Sequence, residues 1–135
     1  MFGIVGIDHI VLRSREPASL IAFYRDVLGC SLERQVDALG LVQLRAGSAL
    51  IDIVDAAGEI GRSGGAAPGR EGHNLDHLCL RVDPFEPAAI AQHLRAHGVE
   101  PSEPERRYGA EGYGASIYIE DPEGNKVELK GPPEA

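Results

Sequence analysis

The chain has 135 residues, 43% of them hydrophobic, and a formal net charge of −8, which fits one globular domain with an ordinary core. The negative charge argues against nucleic-acid binding, because phosphates require a basic surface. No apolar run approaches the roughly 20 residues that span a membrane, and the first residues lack the features of a secretory signal. We therefore expect a cytoplasmic protein. Its two cysteines, Cys30 and Cys79, are expected to be reduced and to act as small hydrophobic residues.

The first half of the chain predicts a strand, a helix and two or three further strands. In residues 7–14, apolar side chains alternate with others in the pattern of a half-buried strand. Apolar residues then recur at helical spacing between Pro17, which suits a first helical turn, and Gly29, which suits a helix end. The later strands are predicted in the segments SLERQVDA, LVQLRAG and ALIDIVD.

Residues 56–74 are rich in glycine and alanine and show no periodicity. This composition predicts a long flexible loop, for which a plain linker and a functional lid are both open interpretations.

The second half repeats the order of the first. LDHLCLRV, which begins at Leu75, predicts a strand, and Pro87 begins a second helix that Gly98 ends. Residues 101–114, PSEPERRYGAEGYG, are predicted to form another loop. Two closing strands, ASIYIED and NKVELK, follow and are joined by the turn DPEGN.

An internal duplication explains this repetition. IDHIVLR, which begins at Ile7, aligns with LDHLCLR, which begins at Leu75. His77 follows His9 by 68 residues (77 − 9), about half the chain. Two copies of this length are too few for a solenoid and predict two modules related by a pseudo-twofold axis.

The duplication gives each half one histidine and one acid in matched positions. His9 and His77 lie on the strand face opposite the aliphatic row, while Asp52 and Glu128 each interrupt an apolar run in the last strand of their half. Brought together about a twofold axis, two imidazoles and two carboxylates form a ligand set for Zn²⁺, Ni²⁺, Mn²⁺, Co²⁺ or Fe²⁺. A lone strand histidine is more often an ordinary core or surface residue. The matched set nevertheless favours one divalent metal ion, because buried charges need partners.

Four motifs carry a resemblance to a known family: DHIVL, FYRDVLG, LDHLCLRV and SIYIEDPEGNKVEL. With them the chain resembles the vicinal oxygen chelate superfamily, which includes glyoxalase I, methylmalonyl-CoA epimerase, extradiol dioxygenases, fosfomycin-resistance enzymes and bleomycin-binding proteins. The resemblance covers nearly the whole chain. It implies an α+β fold in which two βαβββ modules, related by a pseudo-twofold, curve their sheets into a metal-binding cup. Residues 1–135 would form a single domain, with module one at about 5–55 and module two at about 75–131.

The resemblance also implies a ligand set. His9, His77 and Glu128 match the metal ligands of the family's enzymes, and Asp52 matches a fourth position where glyoxalase I-like and epimerase-like members carry Glu or Gln. Aspartate is one methylene shorter, so direct binding and binding through a water both remain open. Bleomycin-binding relatives lack these ligands, and the intact set therefore argues against that function.

The function implied by the resemblance is that of a divalent-metal-dependent enzyme that chelates a small oxygenated substrate through two neighbouring oxygens. With four ligands it would be a glyoxalase I-like lyase or isomerase, in which Glu128 acts as the general base. Without Asp52, an extradiol dioxygenase or a fosfomycin-type epoxide-opening enzyme is the alternative, although Val11 stands where fosfomycin transferases usually have a hydroxyl residue. A non-catalytic small-molecule binding protein of the same fold is also open. The family often forms dimers, so a homodimer is expected.

Strand alternation adds candidate substrate-binding residues. Tyr118 is predicted to face the cup, Lys126 shares a face with Glu128, and Arg45 flanks the cup from a neighbouring strand. For most of these side chains a solvated polar strand face is the simpler interpretation, with Tyr118 as the exception. The same faces also carry Gln43, Ser116, Glu120, Lys130, Arg13 and Arg81.

The predicted loop over residues 101–114 provides a second group of candidates. Its glycines predict a segment that closes over substrate. The side chains that would then reach the substrate are those of Arg106, Arg107, Tyr108 and Tyr113.

Overall fold

In this computed structural model, the described residues of the chain, 1–69, 71–73 and 75–135, fold into two four-stranded sheets, each with one α-helix. Two compact units divide the chain, Met1–Gly69 and Arg70–Ala135. Each unit runs strand, helix and three strands, so the α+β class and the two βαβββ modules are confirmed. Arg70 and Asn74, which belong to the predicted loop 56–74, lie outside the described residues.

The first unit follows the predicted order of elements. Its helix continues beyond α1 as a π-helical turn over Phe23–Val27, and Gly29, with a φ of 81°, follows it as predicted. The sheet order is β1-β4-β3-β2, with β1 parallel to β4 and the other pairs antiparallel. The elements are β1 (His9–Ser14), α1 (Pro17–Ala22), β2 (Ser31–Val36), β3 (Leu41–Ala46) and β4 (Ala49–Asp55).

The core of the first unit determines which way Asp52 faces. Because side chains alternate along a strand, Asp52 faces away from the row formed by its two apolar neighbours on β4. In the sheet register it lies between Val11 of β1 and Gln43 of β3. The buried apolar side chains of this unit include Leu20, Tyr24, Leu44, Ile51 and Ile53.

The second unit has the same architecture. Its sheet order is β5-β8-β7-β6, and β5 is parallel to β8. Glu128 lies on β8 between Cys79 of β5 and Tyr118 of β7. Among the described residues no helix has the length and hydrophobicity to cross a membrane. The elements are β5 (His77–Arg81), α2 (Pro87–Ala96), β6 (Glu105–Gly109), β7 (Gly112–Glu120) and β8 (Lys126–Pro133).

The prediction of a loop over residues 101–114 is wrong. Residues 105–109 form β6, which pairs antiparallel with β7, and β7 begins at Gly112, within the predicted loop. Two of the glycines that suggested a loop, Gly109 and Gly112, lie at the strand ends beside a tight turn, and Gly114 lies within β7. Four predicted lid residues are therefore on a β-hairpin: Arg106, Arg107, Tyr108 and Tyr113.

Arg13 holds part of the predicted loop 56–74 against β1. Its guanidinium donates to the carbonyl oxygens of Gly61 at 2.8 Å, Gly65 at 2.6 Å and Ala66 at 3.1 Å. A 3₁₀ turn covers Gly61–Gly64 within this contact region. Arg13, which strand alternation placed on the same faces as the candidate substrate-binding residues, thus directs its Nε, Nη1 and Nη2 donors to this loop.

Candidate metal centre

His9 lies between two carboxylates of the first unit. Its Nδ1 is 2.6 Å from Asp8 Oδ1, and its Nε2 is 4.0 Å from Asp52 Oδ2. An ionised carboxylate only accepts hydrogen bonds, so the imidazole donates from Nδ1 and, when neutral, keeps the lone pair on Nε2. The hydrogen bond that His9 donates to Asp8 raises the pKa of His9, with burial opposing it and the charge of Asp52 adding to it.

Asp52 is a buried carboxylate with one free oxygen. The side-chain amide of Gln43 donates to Oδ2 at 3.1 Å, and the residue is only 4% exposed. Oδ1 is buried and has no hydrogen-bond partner among the described residues. Such an oxygen costs free energy unless a partner is supplied, whereas the oxygen that lies beside His9 Nε2 is Oδ2, at 4.0 Å.

The second unit repeats this arrangement around His77. Its Nδ1 is 2.7 Å from Asp76 Oδ1, and its Nε2 is 3.1 Å from Glu128 Oε1. The hydrogen bond with His77 lowers the pKa of Asp76, and the charge of Lys126 adds to this effect. A carboxylate on Nδ1 that leaves Nε2 free is the usual outer support of a metal-binding histidine.

Glu128 is buried and kept ionised by its neighbours. Burial opposes its charge, but hydrogen bonds from Ser116 and Tyr118, the charge of His77 and the thiol of Cys79 outweigh that effect and leave its pKa below the usual value. The hydroxyl of Ser116 donates to Oε2 at 2.6 Å. One oxygen of Glu128 is thereby anchored, while the other faces His77 Nε2.

Cys79 was expected to be hydrophobic filler, and this is wrong. The residue is exposed and lies opposite Glu128 in the register of β5 and β8. Partial burial of the thiol and the negative charge of Glu128 raise the pKa of Cys79 to about 11, so the group stays protonated and donates to the carboxylate. Cys30 is buried, in line with the expectation for it.

Each unit thus supplies one imidazole nitrogen and one carboxylate. Within residues 1–69, 71–73 and 75–135, no group of three or more His, Cys, Asp or Glu side chains is arranged to hold a metal ion. The convergence of His9, Asp52, His77 and Glu128 on one ion therefore stays a prediction.

Tyr118 and Lys126 are the predicted substrate-binding residues that lie nearest to Glu128. The hydroxyl of Tyr118 hydrogen bonds to Glu128 and accepts a hydrogen bond of 3.2 Å from Arg107 Nε. Burial raises the pKa of Tyr118, and Arg107 opposes this. The tyrosine ring meets the His77 ring edge-on at 6.1 Å, and Lys126 Nζ is 5.9 Å from the tyrosine ring centre.

The other predicted substrate-binding residues have partners elsewhere. Arg45 forms an ion pair with Glu33 at 3.2 Å. Tyr108 and Tyr113 contact each other edge-on at 5.0 Å, and the guanidinium of Arg106 lies 3.7 Å from the Tyr113 ring centre. These contacts stabilise the surfaces of the two sheets.

Three residues of the candidate centre had no assigned role in the sequence interpretation. Asp8 and Asp76 precede the two histidines in both repeats, and this recurrence was the signal that could have identified them. Ser116 was placed on the cup face by alternation, but its contact with Glu128 depends on the register of β7 and β8, which the sequence does not reveal.

The fold and the donor pairs define a class of protein with two βαβββ modules, each carrying a histidine and an acid on the face turned away from its apolar row. The chain belongs to the Glyoxalase/Bleomycin resistance protein/Dioxygenase superfamily, whose family model matches residues 6–129. The resemblance found in the motifs is therefore confirmed.

Solved structures of the same fold include proteins with different described roles. A virulence protein of Salmonella typhimurium is 26% identical, with a TM-score of 0.79, and the match covers 96% of this chain and 98% of that one. Lactoylglutathione lyase of Agrobacterium tumefaciens is 21% identical, with a TM-score of 0.68 and coverage of 95% and 94%. An antibiotic-binding protein of a Streptomyces species is 20% identical, with a TM-score of 0.73 and coverage of 98% and 99%. The latter two matches concern the fold alone.

Proposed function

We propose that the chain is a divalent-metal-dependent enzyme that acts on a small oxygenated substrate by bidentate chelation, as a glyoxalase I-like lyase or isomerase. The observation that carries the proposal is the repeated carboxylate–histidine–carboxylate arrangement. In both copies Nδ1 is bound by the preceding aspartate, and Nε2 lies beside an acid on a neighbouring strand. We infer that the two pairs bind a single ion through His9, Asp52, His77 and Glu128.

The donor set fits such an ion. Neutral imidazole and carboxylate are ligands that Zn²⁺, Ni²⁺, Mn²⁺, Co²⁺ and Fe²⁺ all accept. Asp52 is included as the fourth ligand because its Oδ2 lies 4.0 Å from His9 Nε2 and its buried Oδ1 has no hydrogen-bond partner among the described residues. The identity of the metal depends on geometry and availability, so any of these five ions is a candidate.

Glu128 is the proposed general base. A divalent ion, when bound, supplies Lewis acidity at the substrate oxygens. Glu128 is ionised, and Oε2 is anchored by Ser116, which leaves Oε1 to accept a proton from the substrate. The hydrogen bond from Tyr118 orients the same carboxylate, and Arg107 in turn orients Tyr118.

Two residues of the second unit are proposed to bind substrate. Tyr118 presents a hydroxyl and a ring edge close to Glu128 and His77, and Lys126 presents an exposed ammonium group close to the Tyr118 ring. Arg45, Tyr108 and Tyr113 remain proposed substrate-binding residues as well, although each also contacts another side chain of the protein.

A homodimer remains part of the proposal. Val11 on β1 is an exposed apolar side chain, and β1 is an edge strand of its sheet. The unpaired backbone groups of an edge strand favour pairing with a second chain. Light scattering on the purified protein tests this: a mass of two chains is expected, and a mass of one chain contradicts it.

Metal analysis followed by turnover assays tests the proposed function. The purified protein, reconstituted with each of the five ions, is assayed with a hemithioacetal, an epoxide and a catechol. We expect turnover of the hemithioacetal that is lost in Glu128→Gln and retained in the exposed control Glu103→Gln. Epoxide opening or catechol cleavage instead would contradict the lyase or isomerase assignment. Stoichiometric ligand binding without turnover would contradict enzymatic function.

A further inference from the structure

Lys130 is a buried cation on the same sheet face as Glu128. The chain has two lysines, Lys126 and Lys130, and both lie on β8, two residues to either side of Glu128. Side chains two apart on a strand share a face. Lys126 is exposed, whereas Lys130 is only 6% exposed. A buried ammonium group costs free energy unless it is paired.

The ammonium of Lys130 has few partners in the described part of the chain. Nζ donates to the carbonyl oxygen of Arg107 at 2.8 Å, and this is its one hydrogen bond to the described residues. An ammonium group has three donors, so two are left. The charge of Lys130 contributes to the lowered pKa of Glu134, after the larger effect of Arg106. Glu134 already accepts hydrogen bonds of 2.8 and 3.1 Å from Arg106.

The fold does not require a charge at this position. Val54 occupies the equivalent place in the first unit, since each residue follows the acid of its strand by two positions. The strand register supports this equivalence, because Val54 pairs with Arg13 of β1 and Lys130 pairs with Arg81 of β5. Val54 is 1% exposed. An apolar side chain therefore fills this position in the first module. The fold alone does not explain why the second module has a lysine there.

Two glycines of the β6–β7 hairpin make room for this lysine. A Cβ on Gly109 would lie 2.6 Å from Lys130 Cε, and a Cβ on Gly114 would lie 3.0 Å from Nζ. Both distances are shorter than ordinary van der Waals contact. A Cβ on Gly114 would meet the carbonyl oxygen of Pro132 first, at 2.6 Å, so Gly109 is the position at which the lysine side chain itself is the nearest neighbour.

We propose that Lys130 binds an anionic group of the substrate, a carboxylate or a phosphate, beside Glu128. The Cα atoms of the two residues lie about 6.6 Å apart on one face of the strand, and Lys130 Nζ itself lies at the β6–β7 hairpin, next to the carbonyl oxygen of Arg107. Charge-assisted hydrogen bonds from the two remaining N–H donors hold it. The assignment of the anion to the substrate rests on the proposed function, whereas the existence of an anion site at Lys130 does not.

Inorganic phosphate is the probe that tests this site. It is titrated into the full-length, metal-free protein labelled with ¹³C and ¹⁵N in lysine, which gives two lysine side-chain signals that Lys130→Arg assigns. We expect a saturable shift of the Lys130 signal. Lys130→Met should weaken phosphate binding by roughly tenfold or more, whereas Lys130→Arg should retain binding. Arg95→Met, an equal charge change at an exposed site of the same unit, should have no effect. A parallel titration with acetate compares the two kinds of anion.

A Lys130 signal that phosphate does not move, or Lys130→Met protein that binds phosphate as tightly as wild type, overturns the proposal. Lys130→Met is expected to fold, given the valine at the equivalent position, and the titration of the wild-type protein decides the matter independently of that variant. Phosphate binding at Lys130 in a protein that takes up no metal would support the anion site and overturn only the proposed function.

Discussion

Ser116 donates a hydrogen bond of 2.6 Å to Glu128 Oε2, and both residues are buried. The matching acid of the first unit is held differently, because Asp52 receives one amide donor from Gln43 at 3.1 Å and keeps one oxygen free. The two modules thus share their topology but differ in how they support the acid. Glu128 is fixed before any ligand arrives, whereas Asp52 is fixed only in part.

Replacing Ser116 with alanine should weaken metal binding by roughly 10–100-fold, as is typical when the partner of a ligand is removed. The side chain of Glu128 loses the donor that fixes Oε2, and the buried oxygen is left without it. Competition with a chromophoric chelator measures the affinity. Ser116→Thr keeps the hydroxyl and is the matched control. Equal affinity in Ser116→Ala and wild type would show that this hydrogen bond does not support a metal ligand.

Asp52→Asn should weaken metal binding while leaving the metal-free protein as stable as wild type, or more stable by about 1 kcal/mol. The substitution removes a buried negative charge whose Oδ1 has no partner among the described residues. Urea unfolding of the metal-free protein measures the free energy of unfolding. Asp121→Asn is the contrast, because Asp121 accepts three hydrogen bonds within its turn and its loss should destabilise the fold. A large loss of stability in Asp52→Asn would argue for a structural role of Asp52.

Asp8→Asn should lower the pKa of His9 and shift metal uptake to lower pH. The hydrogen bond that His9 donates to Asp8 is the largest cause of the raised pKa. The charged His9–Asp8 pair therefore adds stability below the unfolded value of about 6.5 and loses it as pH rises through the higher folded value. Metal binding needs the neutral imidazole, so the proton competes over that same range.

NMR titration of His9 in the metal-free protein, together with metal affinity against pH, measures both effects of Asp8→Asn. Asp26→Asn, at the exposed Arg25–Asp26 pair, provides the control. Identical titration midpoints in Asp8→Asn and wild type would contradict the assigned cause.

Arg13→Ala should release the segment from Gly61 to Ala66 from β1. Three hydrogen bonds from one guanidinium are lost, and the free energy of unfolding should fall by about 1–3 kcal/mol. Hydrogen exchange of the amides in residues 60–66 should become faster, while that of β3 should not. Arg25→Ala removes an exposed arginine and serves as the control. Unchanged exchange in residues 60–66 would mean that the loop is held by other contacts.

Much of the architecture was predictable because the repeat and the strand alternation are local signals. The duplicated DH motif identified both histidine-bearing strands, and apolar periodicity located both helices. The face on which Asp52 and Glu128 lie also followed from alternation, because the neighbouring apolar residues had to pack in the core.

The strand β6 was missed because the three glycines and two prolines of residues 101–114 suggested a loop, whereas the segment forms a hairpin with β7. Other parts of the site depended on contacts between distant residues. The loop contacts of Arg13 and the hydrogen bond between Ser116 and Glu128 join residues far apart in sequence. Alternation placed these side chains on a face but did not identify their partners.

The stoichiometry of Co²⁺ binding tests the central claim most directly. Titration of the purified, metal-free protein, followed by calorimetry and by the visible spectrum of bound cobalt, should give one tight site per chain. His9→Asn and His77→Asn should each abolish that site, because the two pairs contribute ligands to the same ion. Two sites per chain, or a His77 pair that still binds tightly after His9→Asn, would show that the pairs act separately and would contradict the account.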